Sequence, residues 1–275
     1  MNRPFSLAHL TMLSVPPPEL VETAAKAGYQ FVSLRPIPVG APNEPLYPLA
    51  TDCALLARTK AAMEATGVGL LDIEVARIIK EATPKSYLFA LETAAELGGR
   101  HVLSSAWCDD RPYILDFFSE LCDLALPFGL TVDLEFVTWS GIKTLDEAVE
   151  VVKEARRPNA GIVVDTLHFD RCHAELEKLS ALPREWFHFA QISDAPASYS
   201  NEREDLIRIG RAERLYLGEG GIDVASILAR LPPVPLSIEI PNTAKLSSLG
   251  AEQYARLCIE TARSFLAASA YRRTG

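Results

Sequence analysis

Cysteine is scarce and follows no pairing pattern: 275 residues carry five (Cys53, Cys108, Cys122, Cys172 and Cys258), an odd, scattered set without a CxxC motif. A disulfide framework and a thiolate zinc motif are both excluded, and reduced thiols are expected. No apolar run approaches the roughly 18 residues of a membrane span. The opening "MNRPFSLAHLTML" lacks the sustained apolar core and cleavage site of a secretory signal, so no membrane partner and a cytoplasmic location are expected. Positive charge is also short. Lys and Arg number 27 against 36 Asp and Glu, a net charge of −9, whereas a nucleic-acid binder needs a basic patch. No GxGxxG follows the first apolar run, which argues against a dinucleotide fold. No lysine stands at the end of such a run, which argues against Schiff-base chemistry.

What is present is a repeated alternation. Short β-branched runs occur at Phe5–Leu10, Phe31–Pro36, Gly69–Glu74, His101–Ala106, Thr131–Phe136, Gly161–Asp165, Phe187–Ile192 and Pro235–Ile240, separated by amphipathic stretches. The spacing is about 30 residues, that of a strand–helix unit feeding a parallel sheet. Helix signals fall between the runs: prolines at 16–18 with Gly28 as a C-cap, a Gly pair closing the stretch from Thr83, and Thr144 with early acids opening another. Eight such units without a linker predict one domain over residues 1–275, a (β/α)8 TIM barrel, in preference to an open doubly wound sheet.

In such barrels the C-terminal ends of the strands form the site. The ends of the last four strands read Glu135, Asp165, Gln191 and Glu239. One acid at a strand end is commonly just a helix cap. Three carboxylates converging on a barrel mouth repel one another unless a cation lies between them. Oxygen donors without thiolates suit Mn2+ or Mg2+ best, with Zn2+ and Co2+ as alternatives.

The order of these residues carries a resemblance. Glu135, "DTLH" with Asp165 and His168, "QISD" with Gln191 and Asp194, "GEGGID" over 218–223, and Glu239 together resemble the xylose isomerase-like TIM-barrel superfamily of sugar isomerases and epimerases. The resemblance implies one divalent metal held by Glu135, Asp165, the residue at 191 and Glu239. It implies an acid/base pair, Glu135 and Glu239, with His168 polarising substrate oxygens. The commoner residue at position 191 is histidine; Gln191 keeps an oxygen donor but cannot titrate. Some dehydroshikimate dehydratases of the superfamily carry glutamine in this slot. The superfamily's endonuclease branch needs many more histidines than the five here.

The expected activity is therefore a metal-dependent isomerase or epimerase acting on a ketose or related polyhydroxy carbonyl compound through an enediolate. The alternatives are a dehydratase of the 3-dehydroshikimate or inosose type, and a noncatalytic metal- or sugar-binding subunit. The partner is a small sugar, polyol or keto acid. Earlier strand ends add His9, Arg35 and Glu74 as substrate contacts, with Asp194 either orienting Gln191 or capping a turn. Two long loops, Pro38–Pro48 and Ala195–Gly221, are expected over the mouth; the second carries Arg203, Arg208, Arg211 and Arg214, of which Arg203 is the expected substrate contact. "GEGG" offers backbone amides to a phosphate, although Glu219 opposes one there. His188, by strand alternation from Gln191, should face the surrounding helices, and the buried Asp133 needs a partner that the sequence does not name. The C-terminal helix, Ala251–Ala268, offers a face for homo-oligomer formation.

Overall fold

The computed structural model describes residues 3–39 and 44–274. All eight predicted strands form: β1 (Phe5–Leu7), β2 (Phe31–Leu34), β3 (Gly69–Ile78), β4 (His101–Ala106), β5 (Thr131–Glu135), β6 (Ala160–Asp165), β7 (Ala190–Ile192) and β8 (Leu236–Ile238). Each pairs in parallel with its neighbour in sequence, and β8 returns to β1 through Phe5↔Leu236, Ser6↔Ser237 and Leu7↔Ile238. With helices between the strands, this is a closed (β/α)8 TIM barrel.

Alternation along each strand divides the apolar residues between two layers. Ile162, Val164, Leu134, Ile192 and Ile238 face the helices, within a large cluster joined by Leu121, Val152 and Ile227. Leu71, Val75, Leu103, Val163 and Phe189 fill the barrel's interior. Each fully buried aliphatic chain contributes roughly 1.5–3 kcal/mol relative to exposure.

Helix ends follow local chemistry. Asp52, Asp110, Asp165, Asp223 and Asn242 each accept a backbone N–H of the first turn, and Thr144 with Glu147 forms a complete capping box. Gly28 ends the helix Pro17–Ala27 with φ 90°, a left-handed conformation that favours glycine. The C-terminal helix Ala251–Thr274 lies against this first helix: Tyr29 donates to Ala255 O, and Arg263 donates to Gly28 O. Among the described residues, no helix is long and apolar enough to cross a membrane.

Three boundaries differ from expectation. The first strand stops at Leu7, and His9–Met12 coil into a 3-10 turn. The third runs on to Ile78. The seventh begins only at Ala190, so strand alternation does not extend back to His188. Of the two long loops, residues 40–43 of Pro38–Pro48 lie outside the described residues. The other loop forms a helix, Arg203–Ala212, and then returns across the mouth through bridges pairing Asp194 with Leu215 and Glu213 with Asn242.

Candidate active site at the barrel mouth

The register explains why the strand-end polar residues meet. Parallel pairing sets Glu135 beside Val163, Asp165 beside Gln191, and Gln191 beside Ser237, so Glu239, two residues further on, shares the inward face. Glu135, Asp165, Gln191 and Glu239 are all buried. Asp165 also caps the helix Thr166–Arg171, accepting from Leu167 N at 2.7 Å, and that helix's first turn carries His168 inward.

Asp165 and Glu239 share one buried cation. Arg214, 2% exposed, donates from Nη1 to Asp165 Oδ2 at 2.6 Å and pairs through Nη2 with Glu239 Oε2 at 2.9 Å. Its Nε donates to Gly210 O at 2.8 Å. Gln191 Nε2 donates to Glu239 Oε1 at 3.0 Å, which fixes the amide so that its buried Oε1 has no hydrogen-bond partner. Of the four arginines in this loop, the backbone return at Leu215 brings Arg214 onto the carboxylates, and Arg211 lines the cavity above them. Arg203 instead reaches Trp139 O at 3.4 Å, beside a groove at the rim.

These contacts set the proton affinities. Burial pushes the Glu135 carboxyl well up, and the charges of Glu239 and Asp165 push it further. Burial likewise raises Glu239, to about 8, with Arg214 opposing. Burial also acts upward on Asp165, but the Arg214 guanidinium overrides it and holds Asp165 below its ordinary range. His168 is lowered to about 4, chiefly by burial, and so is neutral at pH 7. Its Nδ1 lies 3.3 Å from Thr138 Oγ1, and its Nε2 faces Glu135 Oε1 at 4.0 Å.

A cavity of about 230 Å³ opens over this group, and Glu135, His168, Arg214, Glu239 and Arg35 line it. Trp107 and Trp139 form apolar walls, and Arg77 and Arg211 add two guanidinium groups that strand-end reasoning did not single out. Arg77 sits 4.5 Å over the Trp107 ring; its Nη1 donates to Val39 O, while its buried Nε has no hydrogen-bond partner.

The other predicted contacts are placed differently. His9 is buried with both ring nitrogens engaged: Nε2 lies 2.9 Å from Val15 O, and Nδ1 accepts from Arg35 N at 3.0 Å. Glu74 binds Arg35 at 2.8 Å and accepts from His9 N. Neither His9 nor Glu74 lines the cavity; they brace Arg35, which does. Asp194 accepts from the backbone N–H groups of Ala195, Gly218, Gly220 and Ile222. It therefore caps the "GEGG" turn and occupies amides that could otherwise face an anion.

The donor set fits a divalent cation. Gln191, bonded to Glu239 through its nitrogen, keeps a buried amide oxygen without a partner, and Glu135, Asp165 and His168 each offer a donor atom within 4.8 Å of the others. Oxygen-rich donors of this kind suit a hard or borderline ion, and each carboxylate oxygen keeps a lone pair beyond its protein contact.

The fold and site define a (β/α)8 barrel with an acid-rich pocket at the C-terminal ends of its strands. The chain belongs to the xylose isomerase-like TIM barrel family, whose profile matches residues 21–257. It is 25% identical to the inosose isomerase of Bacillus subtilis over 60% of this chain and 63% of that protein. It is 28% identical to the 3-dehydroshikimate dehydratase of Pseudomonas aeruginosa over 47% of this chain and 20% of that protein. The matches thus span less than two thirds of each relative's own length. In fold it is similar to the IOLI protein crystallised with a zinc atom, with a TM-score of 0.80 and 19% identity over 97% of this chain and 99% of that one.

Proposed function

We propose that this protein is a divalent-metal-dependent enzyme that removes a proton from the carbon beside a carbonyl in a small polyhydroxylated substrate. The observation that carries this reading is the pair of buried glutamates, Glu135 and Glu239, lining one cavity three strands apart, with an amide oxygen and an aspartate between them. Glu135, Asp165, Gln191 through Oε1, and Glu239 would hold the metal. When bound, the ion supplies Lewis-acid polarisation of the substrate carbonyl.

The chain's own groups handle the proton. Glu239, oriented by Arg214 and Gln191, takes the proton from the carbon beside the carbonyl and leaves an enediolate of the substrate. Glu135, lining the same cavity, is the second proton-transfer group, which returns a proton to the substrate. Neutral His168 directs Nε2 at substrate oxygen beside Glu135. Return of the proton to the opposite face is epimerisation, and return to the neighbouring carbon is isomerisation. Loss of a β-hydroxyl, protonated as it leaves as water, is dehydration. A simple sugar binder has no use for two glutamates so disposed.

The cavity wall favours dehydration of a carboxylated substrate over isomerisation of a neutral sugar. Arg77 and Arg211 both lie over the Trp107 ring, whereas Arg35 is paired with Glu74, and a buried guanidinium N–H without a partner at Arg77 suits a substrate oxyanion. The resemblance to a 3-dehydroshikimate dehydratase supports the dehydratase, and the resemblance to inosose isomerase supports the isomerase.

The test is proton exchange and product analysis in D2O with Mn2+- or Mg2+-loaded protein, against ketoses, inososes and 3-dehydroshikimate. Metal-dependent turnover of the carboxylated ketone with loss of water supports the dehydratase reading. Exchange on neutral ketoses alone returns the isomerase. Glu239→Gln should lower either rate by ~100-fold or more, and Arg77→Gln should raise KM for the carboxylated substrate at least about tenfold with little change in kcat. Turnover that survives Glu239→Gln sinks the assigned base.

A further inference from the structure

We propose that His101, Asp133 and His188 form a second divalent-metal site, of zinc type, at the N-terminal end of the barrel. Three backbone segments converge there: His101 opens β4, Asp133 lies at the centre of β5, and His188 stands two residues before β7. Asp133 is fully buried, whereas both histidines keep an edge toward solvent. A donor atom from each of the three lies within 4.8 Å of the others.

The separations suit one ion. His188 Nδ1 lies 2.6 Å from Asp133 Oδ1, and His101 Nδ1 lies 3.8 Å from Asp133 Oδ2. Donors around a tetrahedral zinc, with bonds of about 2.0–2.1 Å, stand roughly 3.3 Å apart, between those two values. The imidazole rings are nearly parallel, 5.5 Å between centroids. Two imidazoles and one carboxylate are a donor set that favours Zn2+ over Mg2+, with solvent free to supply the fourth ligand through the open edge.

Neighbouring residues leave room for this arrangement. A Cβ on Gly161 would stand 2.1 Å from Asp133 Oδ1 and 2.6 Å from His188 Nδ1, so only glycine there lets the pair meet. Thr131 Oγ1 bridges the pair without the ion, donating to Asp133 Oδ2 at 2.6 Å and lying 2.7 Å from His101 Nδ1, and the metal would take over both contacts. Binding would exchange the Nδ1 protons of the two histidines for the metal. The site shares no ligand with the barrel mouth.

Metal-stripped protein dialysed against Zn2+ alone, with zinc counted by mass spectrometry, tests the assignment. The expected result is the loss of one equivalent in His188→Ala and in His101→Gln, with that equivalent retained in Glu239→Gln. Long-range 1H–15N spectra of the wild type should show both Nδ1 atoms losing their protons and shifting on zinc addition, a readout that needs no variant to fold. Wild-type zinc content in both histidine variants, or unmoved Nδ1 signals, overturns the site. A Glu239→Gln protein that binds as much zinc as wild type counts against metal at the mouth and leaves this inference standing.

Discussion

Arg214 decides the character of the mouth. A guanidinium between Asp165 and Glu239 offsets two buried charges that would otherwise have to protonate or exclude each other. Arg214→Met should therefore destabilise metal-free protein by about 3–5 kcal/mol, the cost of an uncompensated buried charge. Saturating Mn2+ should recover part of that loss, because the ion supplies the missing positive charge. Urea midpoints with and without metal check this, and an equal loss in both conditions assigns Arg214 to packing alone. How much of the site the sequence reveals follows from the same residues. Glu135, Asp165, Gln191 and Glu239 were legible because strand alternation and parallel register place strand ends by counting. Arg214 was one of four arginines in a loop, and nothing in local spacing says which of them turns inward. Position at a strand end makes His9 and Glu74 candidate substrate contacts. Backbone groups that no side-chain pattern encodes engage His9, while Arg35 engages Glu74.

At the scale of elements, the loop after β7 depends on one carboxylate. Asp194 collects the amides of Ala195, Gly218, Gly220 and Ile222, and the turn so formed leads the chain into the helix Val224–Arg230. Asp194→Ala leaves four donors without an acceptor and should cost on the order of 3 kcal/mol. Hydrogen exchange should show the loss of protection concentrated at residues 218–222, and a loss spread evenly over the barrel would contradict a local clamp. This is also why "GEGG" is not free to act as a phosphate cradle: Gly218 and Gly220 donate to Asp194, and Glu219 and Gly221 to backbone carbonyls. Strand boundaries were the less legible part. His188 and Asp133 were unmatched in the sequence because alternation was carried back through residues that precede the strand. With β7 starting at Ala190, His188 turns to the carboxylate that lacked a partner.

Across the whole molecule, the buried titrating groups set a pH dependence of stability with a definite sign. His9, His101 and His168 fall to about 4 on folding, mainly through burial, so the unfolded chain binds more protons than the folded one between that value and 6.5. Their contribution is complete above pH 6.5 and is lost as pH falls toward 4. Glu239 runs the other way. Its folded value near 8 exceeds the unfolded 4.5, so its contribution is complete below 4.5 and is lost as pH rises through about 8. His188 acts in the same direction: burial lowers its pKa, the hydrogen bond and charge of Asp133 more than offset this, and its contribution fades above 6.5. Metal-free protein should therefore lose Tm between pH 6.5 and 8, and metal-loaded protein should lose less, since the ion favours ionised carboxylates. A metal-free Tm that is flat or rising across that window would contradict the assignment for Glu239. Closure of the sheet has a separate consequence for handling the protein. With β8 hydrogen-bonded to β1, the described residues present no unpaired rim of the barrel sheet to which another chain could add. Aggregation by strand addition must therefore await an opening of the ring, so its rate should track the population of the opened state rather than the protein concentration alone.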